Sequence, residues 1–222
     1  MNNIHLVAVQ HGDRGELMSM SMFPLIQFQV IPLLTSKSVL VVEGGNRRGK
    51  MESNHPDYRS IYQQLGPIYM NGLTPTIHSD DPMWWEGLDA AKEFHDSCHE
   101  YETALGQLLV FDEIPRTWEG LVEKIKTKNH KVRLMVPISD RFKLLAQKHA
   151  KSFKRRDEVF ANQIFDYSQE GRDVFFFGGL LHCLSLSATH GWSVIKYEVT
   201  EDYVKALYLS WYLAYAAADL LD

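Results

Sequence analysis

The sequence predicts an α/β fold: a central, mostly parallel (mixed) sheet flanked by helices, in a single domain over residues 1–222 with a long loop and helical insertion at 51–145. Three observations lead there. The segment IHLVAVQ (4–10) reads as a first strand, and SVLVVE (38–43) as a second with a continuous apolar run, the mark of a strand covered on both faces. A helical pattern lies between them, so strand, helix and strand make a βαβ unit within about 40 residues. Further helical segments then precede two more strand segments, at 172–183 and 191–199.

Each element has a local reason. The first strand stops at His11-Gly12, and the helix GELMSMSMFPLIQFQVIPLL is kinked by Pro24 and ends near Pro32. Residues 51–85 are polar and rich in Pro and Gly. A loop of that length tends to be a lid or a binding element, so the insertion is expected to cover the site. Helical spacing returns from Trp85 to Leu109 and in TWEGLVEKIKTK. Two helices with charge on one side follow, ISDRFKLLAQKHAKSF and RRDEVFANQIFDYSQE. A third strand is read in RDVFFFGGLLHC, a fourth in GWSVIKYEV, and a closing helix from Thr200, which can cap it.

Composition narrows the class. The chain is 45% hydrophobic and 23% charged with a formal charge of −5, which argues against nucleic acid or an acidic membrane as partner. The run KHAKSFKRRDE at 148–158 is the local exception. Cys98 and Cys183 both sit in apolar patterns and read as free thiols of a reducing compartment. The start MNNIHLVAVQHGDRG has neither the basic end nor the apolar length of a signal peptide. Ala206–Ala218, at 13 residues, is short of the roughly 20 that span a bilayer. A cytoplasmic protein without a membrane segment is the expectation.

The stretch VEGGNRRGK raises one nucleotide-binding possibility, because Gly44 to Lys50 has the spacing G-x-x-x-x-G-K. That loop needs a Ser or Thr after the Lys to hold Mg²⁺ and a helix directly behind it. Met51 occupies the first position, and Pro56 biases the chain away from a helix. A P-loop NTPase is therefore the third reading of this chain.

Ligands of parallel sheets gather at the carboxyl ends of the strands. The three best strands each deliver a reactive group there: His11 after the first, Glu43 after the second and His182 after the third. Two imidazoles and a carboxylate suit a divalent metal, and equally a base with an orienting acid. Glu43 could instead be satisfied by an ion pair with Arg47 or Arg48.

The helix RRDEVFANQI and the following GRDVFFFGGLLHCLSL are similar to the TraB/TIKI-type family and its wider relatives, the erythromycin esterases and the haem-binding ChaN-like proteins. The matching residues are Arg156, Asp157, Ala161 and Ile164, then Gly179 and His182. AVQH at 8–11 resembles the family's first-strand G-x-x-H, with Ala8 in place of the glycine. Glu43 and Arg48 resemble its second-strand motif, and Arg155 stands where relatives often have an acid. The resemblance implies a hydrolase in which His11, Glu43, Arg156 and His182 are catalytic, acting on a small-molecule or peptide substrate. In the metal-dependent version His11, Glu43 and His182 hold a divalent ion (Mn, Zn or Co). The esterase-like version uses no metal, and the ChaN-like alternative is a non-enzymatic binder of haem or another small ligand.

Other groups are weaker candidates. His95 and His99, four apart with Cys98 and Glu102 nearby, could bind Zn²⁺ but lack the glutamate of H-E-x-x-H. Asp80, Asp81, Trp84 and Trp85 fall in the long loop and could cap a pocket, though packing suits the tryptophans better. The tyrosine-rich final helix reads as a core or homodimer helix.

Overall fold

The structure, a computed structural model, describes residues 3–9, 26–42, 75–76 and 139–195, together with residues 93, 94, 97, 120 and 123. Its strands are β1 (Ile4–Val9), β2 (Ser38–Val42), β3 (Pro75–Thr76), β4 (Asp173–Gly179) and β5 (Ser193–Ile195). The helices α1 (Asp140–Gln169) and α2 (Leu180–His190) flank β4 in the chain. The fold is α/β. The strands form one sheet in the order β3-β2-β4-β1-β5, and every described pairing is parallel.

Strand β4 occupies the middle of that sheet. It pairs with β1 from Ile4↔Val174 to Val9↔Gly179, and with β2 from Ser38↔Asp173 to Val42↔Phe177. Such a position is covered on both faces, which is why Val174, Phe175, Phe176 and Phe177 are all at most 1% exposed. The same holds for Leu6, Val7 and Ala8 in β1 and for Val39, Leu40 and Val41 in β2. The βαβ expectation needs one correction. β1 and β2 share the sheet but are not neighbours, because β4 enters between them from much later in the chain.

Polar bonds fix the amino ends of these strands. Asp173 accepts a hydrogen bond from the Asn3 backbone N–H at 3.0 Å and one from the Thr35 hydroxyl at 3.5 Å. One carboxylate thereby ties the entries of β1, β2 and β4 together. The buried Ser38 hydroxyl accepts the Thr35 N–H at 2.9 Å, closing the turn that starts β2. Beside Asp173, His5 stacks on its register partner Phe175 with centroids 4.7 Å apart. Burial pushes its imidazole below the ordinary value of 6.5, against an opposing pull from Asp173.

Several boundaries differ from the sequence expectation. The two helices read at 138–153 and 155–170 are one helix of 30 residues. No Gly or Pro lies between 140 and 169, so nothing in that stretch interrupts the helix. Ser139 caps it through a 3.2 Å bond from the Phe142 N–H. At its end Arg172 N–H bonds to Tyr167 O and Gly171 N–H to Ser168 O, a Schellman closure with Gly171 at φ +81°. The expected helix at 15–34 is, over its described part, a π turn at Ile26–Val30 followed by a 3₁₀ turn at Ile31–Leu33. Pro32 has no N–H to donate back to residue 28, so the regular ladder fails there. Within the expected loop at 51–85, β3 adds an outer strand next to β2, and its Pro75 suits that position.

By its contacts the chain divides into two compact units. The first, Met1–Asp80 with Asp157–Glu198, holds the sheet. The second is Asp81–Arg156 with Val199–Asp222. In the second, Glu93, Phe94, Ser97, Gly120 and Glu123 are helical, in keeping with the helices read there. Phe94 is fully buried, stacked on His149 at 4.8 Å and tilted against Phe142 at 5.4 Å. Among the described residues no helix is long and apolar enough to cross a membrane.

Two outcomes follow from this packing. A Cβ on Gly178 would run into the Phe176 ring, so Gly178→Ala should lower the denaturant-derived stability by about 1–3 kcal/mol with an unchanged fold. His5 binds its proton more weakly folded than unfolded, so its contribution is intact above pH 6.5 and is lost as the pH falls below that value. His5→Phe keeps a ring on Phe175 and should flatten the decline in unfolding midpoint as the pH falls below 6.5. An unchanged slope would refute this.

Candidate functional site

The middle of the sheet also positions the candidate site. Gly178 leaves space over which the Phe176 ring lies, and that ring meets Phe160 of α1 at 4.8 Å. Asp157, Phe160, Ala161 and Ile164 fall at helical spacings i, i+3, i+4 and i+7, so they share one side of α1. Phe160, Ala161 and Ile164 are at most 6% exposed, which makes this the buried side and carries Asp157 inward with it.

After Gly179 the chain turns from β4 straight into α2, and His182 is that helix's third residue. This corrects the expectation that His182 ends a strand. The apolar run VFFFGGLLHC looks continuous, but the backbone changes from strand to helix after its glycine pair. In the first turn of α2 the His182 imidazole reaches Asp157, with Nδ1 and Oδ1 2.5 Å apart. The His182 ring also stands edge-on to Phe160, centroids 5.3 Å apart at 85°. The two side chains are 5% and 14% exposed, so the pair is shielded from water.

The chemistry follows from the donor inventory. A carboxylate accepts and cannot donate, so the bonding proton belongs to Nδ1 of the imidazole. That fixes the tautomer and passes the basic or ligating role to Nε2. A carboxylate that orients a histidine in this manner recurs in hydrolytic triads and in metal sites. Hydrogen bonds to charged groups contribute about 1.5–3 kcal/mol each, which suffices to hold the ring in one orientation.

The expected site residues are placed unequally. The structure brings His182 together with Asp157, a pairing the sequence did not suggest. Its only sequence signal was that Asp157 sits in the R-D motif of the helix. Arg156, one step earlier, is 8% exposed, with its guanidinium carbon 6.0 Å from the Phe153 ring centroid. Neighbouring positions on a helix do not face each other, so Arg156 does not share the side that carries Asp157. His11 and Glu43 lie outside the described residues, as do Lys50 and Met51, the His95/His99 pair with Cys98 and Glu102, and the Asp80–Trp85 group. Among the described residues no three His, Cys, Asp or Glu side chains cluster closely enough to hold a metal. Cys183 is buried, and its thiol donates to Gly178 O at 3.5 Å.

No family model, curated protein or solved structure matches this chain.

Because His182 is buried and Asp157 largely shielded, their coupling should be measurable apart from any activity. A double-mutant cycle of Asp157→Ala and His182→Ala in denaturant unfolding should give an interaction of about 1 kcal/mol or more. Additive single effects would mean that the contact contributes nothing to the folded state.

Proposed function

We propose that this chain is a hydrolase of the TraB/TIKI and erythromycin esterase type, with His182 oriented by Asp157 as part of its water-activating site. The observation that carries this reading is the buried contact between His182 and Asp157, formed by the two motifs on which the resemblance rests. A base held by a carboxylate is the arrangement such chemistry requires.

The sheet order supports it further. From β1 the chain moves to β2 and β3, then returns to β4 between β2 and β1, and finally to β5 on the far side of β1. Ligands collect at the carboxyl ends of parallel strands where the order reverses in this manner. Strand β4, which leads into His182, lies between the two strands that lead to the other expected groups. Glu43 is one residue beyond Val42, and His11 two beyond Val9. One step along the chain spans about 3.8 Å and neighbouring strands are about 4.8 Å apart, so three consecutive strand ends can serve one pocket.

In the proposed mechanism His182, its Nδ1 proton held by Asp157, accepts a proton at Nε2 from the attacking water. Glu43 and His11 orient that water from the neighbouring strand ends. If a divalent ion is resident, the same His11, Glu43 and His182 are the donor set, and the Asp157–His182 contact is the second-layer bond that metal-bound histidines ordinarily have. The ion would supply a water of lowered pKa.

The burial of the pair favours a second reading, in which Asp157 and His182 only clamp α2 to α1. One experiment separates the two. Purified protein is assayed on aryl esters and fluorogenic peptides, with and without added Mn²⁺, Zn²⁺ or Co²⁺, and its metal content is measured. Hydrolysis is expected to fall about 10²–10⁴-fold in His182→Gln and in Glu43→Gln, with most of the stability kept in the latter. A clamp predicts a large loss of stability in His182→Gln and no hydrolysis by any form, wild type included.

A further inference from the structure

Apart from Arg156, the first half of α1 carries a feature that the proposed hydrolase does not use. Residues 141–156 contain seven of the chain's 23 Lys and Arg and none of its 28 Asp and Glu. Elsewhere 16 cations face 28 acids, a net −12. A helix that is strongly basic within a chain that is otherwise strongly acidic is a local device, not a property of the composition.

Burial sorts these residues onto two sides. Phe142, Leu145, Ala146, His149, Ala150, Phe153 and Arg156 are buried, whereas Arg141, Lys143, Lys148, Lys151, Lys154 and Arg155 are all exposed. At about 100° per residue the six exposed cations fill an arc of roughly 160°, and at 1.5 Å per residue they extend along about 21 Å. Only Leu144 and Gln147 interrupt them, and Leu144 is 53% exposed. At one end Arg141 lies 4.0 Å from Glu93, both well exposed. The other side of the helix is anchored by Phe94 and its neighbours, so the cations project from a fixed platform.

We propose that this basic side of α1 docks a short acidic segment of a partner protein. Charge complementarity selects an anion, and the surroundings select which kind. A membrane surface calls for apolar insertion beside the cations, and here Leu144 is the sole apolar side chain. Single-stranded nucleic acid calls for aromatic platforms, and no aromatic residue lies on the exposed arc. Duplex nucleic acid and anionic bilayers are extended fields of charge that a net −12 remainder opposes. A short acidic peptide needs only the stripe. At about 8 Å of screening in physiological salt it interacts chiefly with Lys143, Lys148, Lys151 and Lys154, because Arg141 already faces Glu93.

The test is fluorescence anisotropy with a labelled Glu-rich peptide of about eight residues, enough to run the stripe in extended form. Wild-type protein should bind it at low salt, and affinity should drop at least about tenfold between roughly 50 and 300 mM NaCl. The charge-reversed variant Lys148→Glu, Lys151→Glu, Lys154→Glu should lose at least about tenfold in affinity at low salt, with unchanged helical content and melting temperature. Duplex DNA and phosphatidylserine vesicles serve as competitors. Absence of peptide binding, binding that the variant retains, or tighter binding to DNA or vesicles than to the peptide would each overturn the proposal. The wild-type salt dependence needs no variant, so the test stands even if the triple substitution fails to fold.

Discussion

The sheet depends on a single requirement, that β4 lie between β1 and β2 with no polar side chain from Val174 to Phe177. A strand hydrogen-bonded along both edges and covered on both faces has no water to satisfy a polar group, so each position must be apolar or small. Three consecutive phenylalanines fill both layers, and two glycines follow. One of those glycines leaves the space in which the Phe176 ring lies. From that ring the packing passes to Phe160 and then to the edge of the His182 imidazole, which in turn meets Asp157. The candidate site is thus supported by the same side chains that fill the centre of the sheet.

Legibility of the sequence followed how local each feature is. The runs at 4–9, 38–42 and 173–179 were readable as buried strands because burial on both faces leaves no alternation to misread. The order of the strands was not readable. Nothing within a strand states which neighbour it takes, and the natural assumption that consecutive strands pair was displaced by a strand from far along the chain. The helix at 140–169 runs through the two segments read separately in the sequence, and no Gly or Pro lies within it to end it earlier. The two-residue β3 carries no periodicity at all.

The site shows the same division. His182 was visible beside the glycine pair, but its position in a helix rather than at a strand end turns on a backbone change that apolar pattern does not encode. Asp157 lies 25 residues from His182, and pairing over that distance is decided by how α1 packs, through Phe160, against Phe176 and His182, a tertiary fact. Residue type therefore gave the chemistry and topology gave the partnership. The carboxylate that the sequence set beside an arginine turned out to matter for a histidine. Asp173, which no motif marked, joins the entries of three strands through backbone and hydroxyl groups that carry no sequence signature of their own.

The strand order also bears on how the protein comes off the ribosome. Strands β1 and β2 are synthesised early, yet neither can meet its central partner until residue 179 has emerged. Between the end of β2 and the start of β4 lie 130 residues. Throughout that interval two apolar segments have open hydrogen-bonding edges, and closing so long a loop delays their pairing. A chain truncated before β4 would leave the facing edges of β1 and β2 without their central partner, and is expected to aggregate rather than to form a smaller folded unit.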